Sequence, residues 1–310
     1  MLSYTLRRLM AVIPTILALI IICFFLMRLA PGGPFTAERP LPPAIMANVL
    51  ERYGLDQPLH VQLWTYVKNI VLHFDFGPSF AHRDRTVNDL ISAGFPVTLT
   101  YGFWSAIFVL FIGIPLGVIA ALRHNSLWDY IMTGLAIFSQ IFPNFVMAPL
   151  MVLLFTLALG WLPGGGWNGG QWQYLIMPAM ALGTSYLANV ARITRSSLLE
   201  VLNEPYIRTA RAKGLPEHTI LIRHALKPML LPVIAYLSPV FVYMITGSVF
   251  IDVFFSTGGI GQKFIDAAYT RDYSVILGLA ILYSVLTFTL NLLVDLAYAW
   301  IDPKVRSGLR

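Results

Sequence analysis

Glu204, Tyr206, Ile207, Arg208, Thr209, Ala210, Arg211, Lys213 and Gly214 fall within the short stretch EPYIRTARAKGL, between two apolar runs. An aromatic side chain, small residues and flanking cations are the groups that protein interfaces use. The chemistry they suit is docking through charge and shape. A competing reading makes the same cations a topology signal that touches anionic headgroups. A topology signal does not call for a capped helix, an alanine pair and a closing glycine. Nothing else in the chain supplies a catalytic constellation. There is no H-E-x-x-H zinc helix, no G-x-S-x-G elbow and no G-x-x-x-x-G-K-[ST] phosphate loop. His218 and His224 are six apart, which does not place them on one helical face as i, i+4 metal ligands would be. His82 and Asp84 read as solvated loop residues. The single cysteine, Cys23, lies in an apolar run and reads as packing. No catalytic residue, no metal site and no cofactor of this chain's own is expected.

The elements that position the stretch are membrane elements. Of 310 residues, 57% are hydrophobic and only 12% charged, against about 25% charged in soluble domains. The net charge of +6 does not indicate nucleic acid, because the cations sit in short clusters between apolar runs. A spanning helix needs about 20 mostly apolar residues. Six runs qualify: Leu9–Leu29, Val97–Leu122, Tyr130–Leu162, Tyr174–Val190, Leu230–Phe255 and Val275–Ile301. The first is longer than a signal-peptide core and carries Arg28 where a cleavage site would want a small residue, so it reads as an uncleaved helix. The third is expected to tilt or break at Pro143 or Pro149. The fourth is short. With both termini cytoplasmic, 13 of the 21 Lys and Arg lie inside, as the positive-inside rule requires. The expected fold is an all-α membrane protein with six transmembrane helices. It divides into a first helix (1–29), an outer segment (30–96) and a five-helix core (97–310) containing a cytoplasmic loop (192–228).

Within that loop, Pro205 reads as a helix start and Gly214 as its left-handed stop. Pro216 opens a second helix that Pro228 and Pro232 are expected to close. The result is a compact helix–turn–helix below the membrane. In the outer segment, Pro31, Pro34, Pro40, Pro42 and Pro43 exclude regular structure. Val61, Trp64, Val67 and Val71 then recur at helical spacing and predict an amphipathic helix, on the membrane surface or capping the bundle. The glycines of WLPGGGWNGG, residues 161–170, suit tight turns. Only Arg28, Asp252 and Asp295 bring charge near a span, each toward an end. An intramembrane charge relay is therefore not evident, which argues against an ion-coupled secondary carrier. Gln140 and Asn144, beside the span-breaking proline, either line a cavity or pair between helices.

The loop resembles the cytoplasmic coupling loop of ABC-importer permease subunits. RTARAKGL followed by HALKPMLLP is similar to the form found in the peptide branch. MRLAPGGPFTAERPLPP, FDFGPSF, LPGGGWNGG and TRDYSVILG, in this order across the chain, resemble the first of the two permease subunits of oligopeptide importers. The resemblance implies a type I importer fold in the bacterial inner membrane. It implies a second homologous permease subunit, two cytoplasmic ATPase subunits that bind ATP and magnesium, an extracytoplasmic peptide-binding protein, and peptide as cargo. It assigns Glu204–Lys213 as the coupling helix, with Gly214 at the family's glycine. Dipeptide, glutathione and nickel permeases share the loop. There are departures. Arg208-Thr209-Ala210 stands where the wider family has Glu-Ala-Ala, Pro228 lies one residue farther out, Asp252 stands where Glu is common, and STGGIG lacks the branch's proline.

Overall fold

The computed structural model describes residues 2–29, 50–51, 54–82 and 84–301; within these, the side chains at 2–9, 11, 136, 139, 140, 144, 238 and 295–301, those of Gln140, Asn144 and Asp295 among them, are not described. The proline-dense stretch 31–43 also lies outside the described residues. Regular structure among the described residues is helical, apart from one antiparallel bridge between Pro78 and Thr86.

Helix α1 is Leu2–Leu29 and α2 is Leu59–His73. Helix α3, Val87–Leu122, begins ten residues before the apolar run that announced it. Its start is set by a capping box. The Asp89 amide donates to Thr86 Oγ1 at 3.1 Å, and the Thr86 amide donates back to Asp89 Oδ2 at 2.9 Å. Helix α4, Leu127–Ile141, stops before Phe142, whose extended backbone (φ −90°, ψ 112°) is what a following proline imposes. The chain resumes as α5, Asn144–Met151, and widens over Val152–Ala158, where the Leu159 amide reaches the Leu154 carbonyl. The expected break thus falls at Pro143, and Pro149 is absorbed within the helix.

Helix α6, Trp172–Leu202, runs well past Val190, and α7 is Pro205–Ala212. Glu217–Thr219, a wide turn over Ile220–Ala225, and Leu226–Thr246 follow without interruption as one rod, α8. Helices α9 (Val249–Phe254), α10 (Ile260–Tyr269) and α11 (Tyr273–Ile301) complete the fold. Two expectations about the loop are corrected here. Residues 192–202 are the end of α6, and Pro228 and Pro232 do not close a helix. The wide turn, in which the Leu226 amide bonds the Leu221 carbonyl, shifts the ladder so that the rod continues through both prolines. Only residues 203–216 stand clear of the long helices.

Among the described residues, four helical segments are long and apolar enough to cross a membrane: Val12–Leu29, Val87–Leu122, Glu217–Leu237 and Tyr273–Val294. Phe145–Ala158 and Pro239–Phe254 are shorter apolar helices. Helix α6 escapes such a test because it is the hub of the bundle, packed by α3, α4, α5 and α8. Its buried residues are largely Ala, Gly, Thr and Ser, which serve close helix packing better than lipid contact. Glycines let the hub close. A Cβ on Gly117 of α3 would stand 2.4 Å from the Ala191 carbonyl oxygen of α6, and one on Gly102 would stand 2.1 Å from that of Met244 on α8.

Helix α2 is present, with a different packed face from the one its sequence suggests. Leu63, Tyr66, Val67 and Ile70 pack against α1 and α11, around Ile20, Phe24, Leu277 and Ile281. Trp64 is 69% exposed and Val71 63%. The sequence holds two apolar stripes, and only the partners α1 and α11 choose between them. Cys23 packs in the same cluster.

Candidate functional site

The stretch 203–216 is built by local rules. Glu204 is the extended residue before α7, and Pro205 takes its first position, where its missing N–H costs nothing. At the other end Gly214 has φ +75°. The Gly214 amide bonds the Arg211 carbonyl at 2.9 Å, and the Leu215 amide bonds the Ala210 carbonyl at 3.3 Å. This double bond pattern ends the helix and requires the left-handed residue that glycine supplies. Arg211 then holds Glu217, at the start of α8, through both carboxylate oxygens at 2.8 and 3.3 Å. The pair is exposed and contributes geometry more than stability.

Tertiary contacts then sort the candidate residues into two sets. Ile207 and Ala210 are buried with Ala121 of α3, Leu198 and Val201 of α6, and Ile220, Ala225 and Met229 of α8. The expectation that Ala210 offers a close approach to another protein is corrected. Its small side chain lets α7 lie against this chain's own bundle. The face left open comprises Tyr206, Arg208, Thr209, Arg211 and Lys213, with Glu204 and Gly214 at its ends. Tyr206 is also tied inward, its hydroxyl donating to the His224 carbonyl at 3.4 Å. That carbonyl is the one a residue at 228 would claim in a regular helix, and Pro228 has no N–H to give.

Two further joints at this end were not legible in the sequence. Arg195 of α6 grips Asp129 of α4 with two parallel hydrogen bonds, Nε to Oδ1 at 2.6 Å and an Nη to Oδ2 at 2.7 Å. Asp129 is 3% exposed. Its carboxylate also accepts from the Asn125 amide at 3.0 Å and meets His124 Nδ1 at 3.3 Å. The second joint links α6 to α8, where Ser197 Oγ donates to the Met229 carbonyl at 3.1 Å. The open helix α7 therefore rests on a cluster shared by α3, α6 and α8, and α6 is clamped to the broken helix α4–α5.

At the opposite end, Asp252 is fully buried. It accepts hydrogen bonds from Thr98 Oγ1 (3.3 Å), the Gly261 amide (2.9 Å) and Thr257 Oγ1. Thr98 Oγ1 in turn accepts from the Ile260 amide at 2.9 Å. The carboxylate thus shapes the TGGIG turn that leads into α10, which is how the turn holds without a proline. A Cβ on Gly259 would stand 2.2 Å from Asp252 Oδ1 and 2.5 Å from Thr98 Oγ1. Gly259→Ala is therefore expected to destabilise the protein by about 1–3 kcal/mol, the usual cost of overpacking. A thermal unfolding midpoint unchanged from the parent would contradict this account of the turn. Gln140 lies in the last turn of α4 and Asn144 opens α5, on either side of the Pro143 break; their side chains lie outside the described ones. No cluster of three potential metal ligands occurs among the described residues.

Comparison with known proteins places this geometry in context. Residues 113–307 match the family described as binding-protein-dependent transport system inner membrane component, and residues 1–102 match its N-terminal companion. The oligopeptide transport system permease protein OppB of Salmonella typhimurium is 51% identical over 99% of this chain and 100% of its own length. The dipeptide transport system permease protein DppB of Bacillus subtilis is 39% identical over 99% of this chain and 98% of its own length. Among solved structures, an inward-facing form of the MetNI methionine ABC transporter aligns with a TM-score of 0.58 at 18% identity, over 69% of this chain and 96% of that one. At that identity the likeness concerns the fold alone.

Proposed function

The chain belongs to the binding-protein-dependent transport system inner membrane components, and from this premise we propose how its geometry serves peptide import. It is a multi-pass inner-membrane permease subunit of an oligopeptide ABC importer. Relatives that carry oligopeptides share 51% of its residues, against 39% for the dipeptide relative. The family works with binding proteins, which sets aside a solitary ion-coupled carrier. The chain crosses the membrane six times with both termini cytoplasmic. Helices α4–α5 form the third span, α6 the fourth, and α8–α9 the fifth. It sits beside a second homologous permease, receives peptide from an extracytoplasmic binding protein, and leaves ATP and magnesium to two ATPase partners.

Helix α7 is the element an ATPase moves. The observation that carries this is its two-sided character. Ile207 and Ala210 are sunk in a cluster shared by three long helices, while Tyr206, Arg208, Thr209, Arg211 and Lys213 face outward. Displacement of the outward face is passed through Ile207 to α3, α6 and α8. The Arg195–Asp129 clamp carries it on to the third span, whose break at Pro143 brings irregular backbone and Gln140 and Asn144 to membrane depth. Such backbone is tolerated against protein or water, which supports a peptide pathway there. The test uses the chain's single native cysteine, Cys23, replaced by Ser, with one new cysteine at Thr209. Cross-linking to a co-expressed ATPase, altered by ATP, is the expected result. Thr209→Cys freely labelled from the cytoplasm and never cross-linked would overturn the docking role.

A further inference from the structure

We propose that a corner far from α7 is a binding site for a phospholipid headgroup bearing a phosphate and a primary ammonium. The site lies where the end of α1 meets α2 and the start of α11. A cavity of about 250 Å³ there is lined by Phe24, Arg28, Gln62, Tyr66, Asn69 and Ser274, among others. That volume equals roughly eight waters at about 30 Å³ each, room for a small polar group.

Three observations define the ligand. First, Arg28 is half-buried, stacked on the Phe24 ring at 5.2 Å, and among the described residues it has no carboxylate partner. A buried guanidinium calls for an anion. Second, two polar atoms on α2 are buried without any hydrogen-bond partner: Tyr66 Oη and Gln62 Oε1. The Gln62 amide nitrogen is already committed to the Leu55 and Gln57 carbonyls at 3.1 and 2.6 Å, so its oxygen needs a donor. Buried polar atoms left in this state are costly, and both belong to residues that line this one cavity. An anion on Arg28 and Tyr66 Oη, with an N–H donor on Gln62 Oε1, describes a zwitterion. Third, the surroundings are those of a membrane interface. Ile21, Phe25, Leu26 and Leu29 are exposed on α1 and offer a path for acyl chains, and Trp64 and Lys68 are exposed on the outer side of α2. Tryptophan and cations at the end of a span mark the headgroup level. The same zwitterionic pairing exists at the ends of a peptide. The lipid is favoured because α1 packs chiefly on α11, away from the broken helix of the proposed pathway. In the orientation proposed above, the site faces the outer leaflet.

The test is native mass spectrometry of the assembled importer, offered phosphatidylethanolamine, phosphatidylcholine or phosphatidylglycerol in turn. Phosphatidylethanolamine should be retained on this chain and the other two less well. Phosphatidylcholine has no donor for Gln62 Oε1, and phosphatidylglycerol offers it only neutral hydroxyls, weaker donors than an ammonium. Arg28→Gln should cut retention at least tenfold, as loss of a charge-assisted bond does. Tyr66→Phe, which keeps the ring in place, should cut it about fivefold. If Arg28→Gln does not assemble, Tyr66→Phe and the ranking of the three lipids by the unaltered chain still decide. Equal retention of all three lipids, or no loss in Tyr66→Phe, overturns the proposal. So does displacement of the lipid by an added oligopeptide, which would assign the cavity to cargo.

Discussion

Asp129→Ala is expected to destabilise the protein by about 1–3 kcal/mol, the cost of losing charge-assisted hydrogen bonds to a partner that is itself partly exposed. Asp129 is 3% exposed, and its removal leaves the Arg195 guanidinium without its carboxylate at the edge of a cavity that Arg192 also lines. It also frees the Asn125 amide that ends the turn between α3 and α4. The thermal unfolding midpoint of the assembled importer would fall accordingly. The pair has a second signature. Replacing both Asp129 and Arg195 with Ala removes the stranded charge, so the double variant should be less destabilised than the sum of the two single ones. Strict additivity would mean that the two side chains do not work as a unit. Function should suffer more than stability alone explains. With the clamp gone, α6 and α4 move independently, and uptake should fall in the double variant even where assembly is normal.

Ile207→Ala is expected to separate docking from transport. The substitution keeps a good helix former on α7 and leaves the outward face untouched, but it empties a fully buried position. Such truncations cost about 2–5 kcal/mol when the cavity does not collapse. Here the cost falls on the contact of one short helix with Leu198, Ile220 and Met229. The Thr209→Cys cross-link to the ATPase should therefore persist, while peptide uptake per ATP hydrolysed falls about tenfold or more, since loss of 1.4 kcal/mol of coupling is already tenfold. Normal uptake in Ile207→Ala would show that motion reaches the bundle by another route, such as the Tyr206 hydroxyl on the His224 carbonyl. Loss of the cross-link together with uptake would show instead that Ile207 only keeps α7 folded.

Much of this organisation was legible in the residues. Pro205 and Gly214 bound α7 because N-terminal proline and C-terminal left-handed glycine act through local backbone geometry, which no distant contact needs to supply. Pro143 breaks the third run for the same reason, by restricting the residue before it. The long apolar runs of α1, α3 and α11 followed from composition, whereas the fifth expected run, Leu230–Phe255, is cut at Gly247 between α8 and α9. Everything that depends on which surfaces meet came from the tertiary structure. Ala210 and Arg211 are neighbours in sequence, yet one is buried in the bundle and the other faces out, because Leu198, Ile220 and Met229 arrive from two other helices. Pro228 does not end a helix, because the turn before it widens and Tyr206 takes the carbonyl it leaves free. The apolar stripe of α2 that packs was chosen by α1 and α11. Asp129 and Arg195 are 66 residues apart, and Thr98 and Asp252 are 154 apart. Hydrogen bonds of that kind have no period and no local signature. The sequence by itself determined the two ends of α7 and the break at Pro143, because those are short-range properties of the backbone. Only the tertiary structure decided which side chains of α7 are buried and which stay exposed, because burial is set by residues far away along the chain.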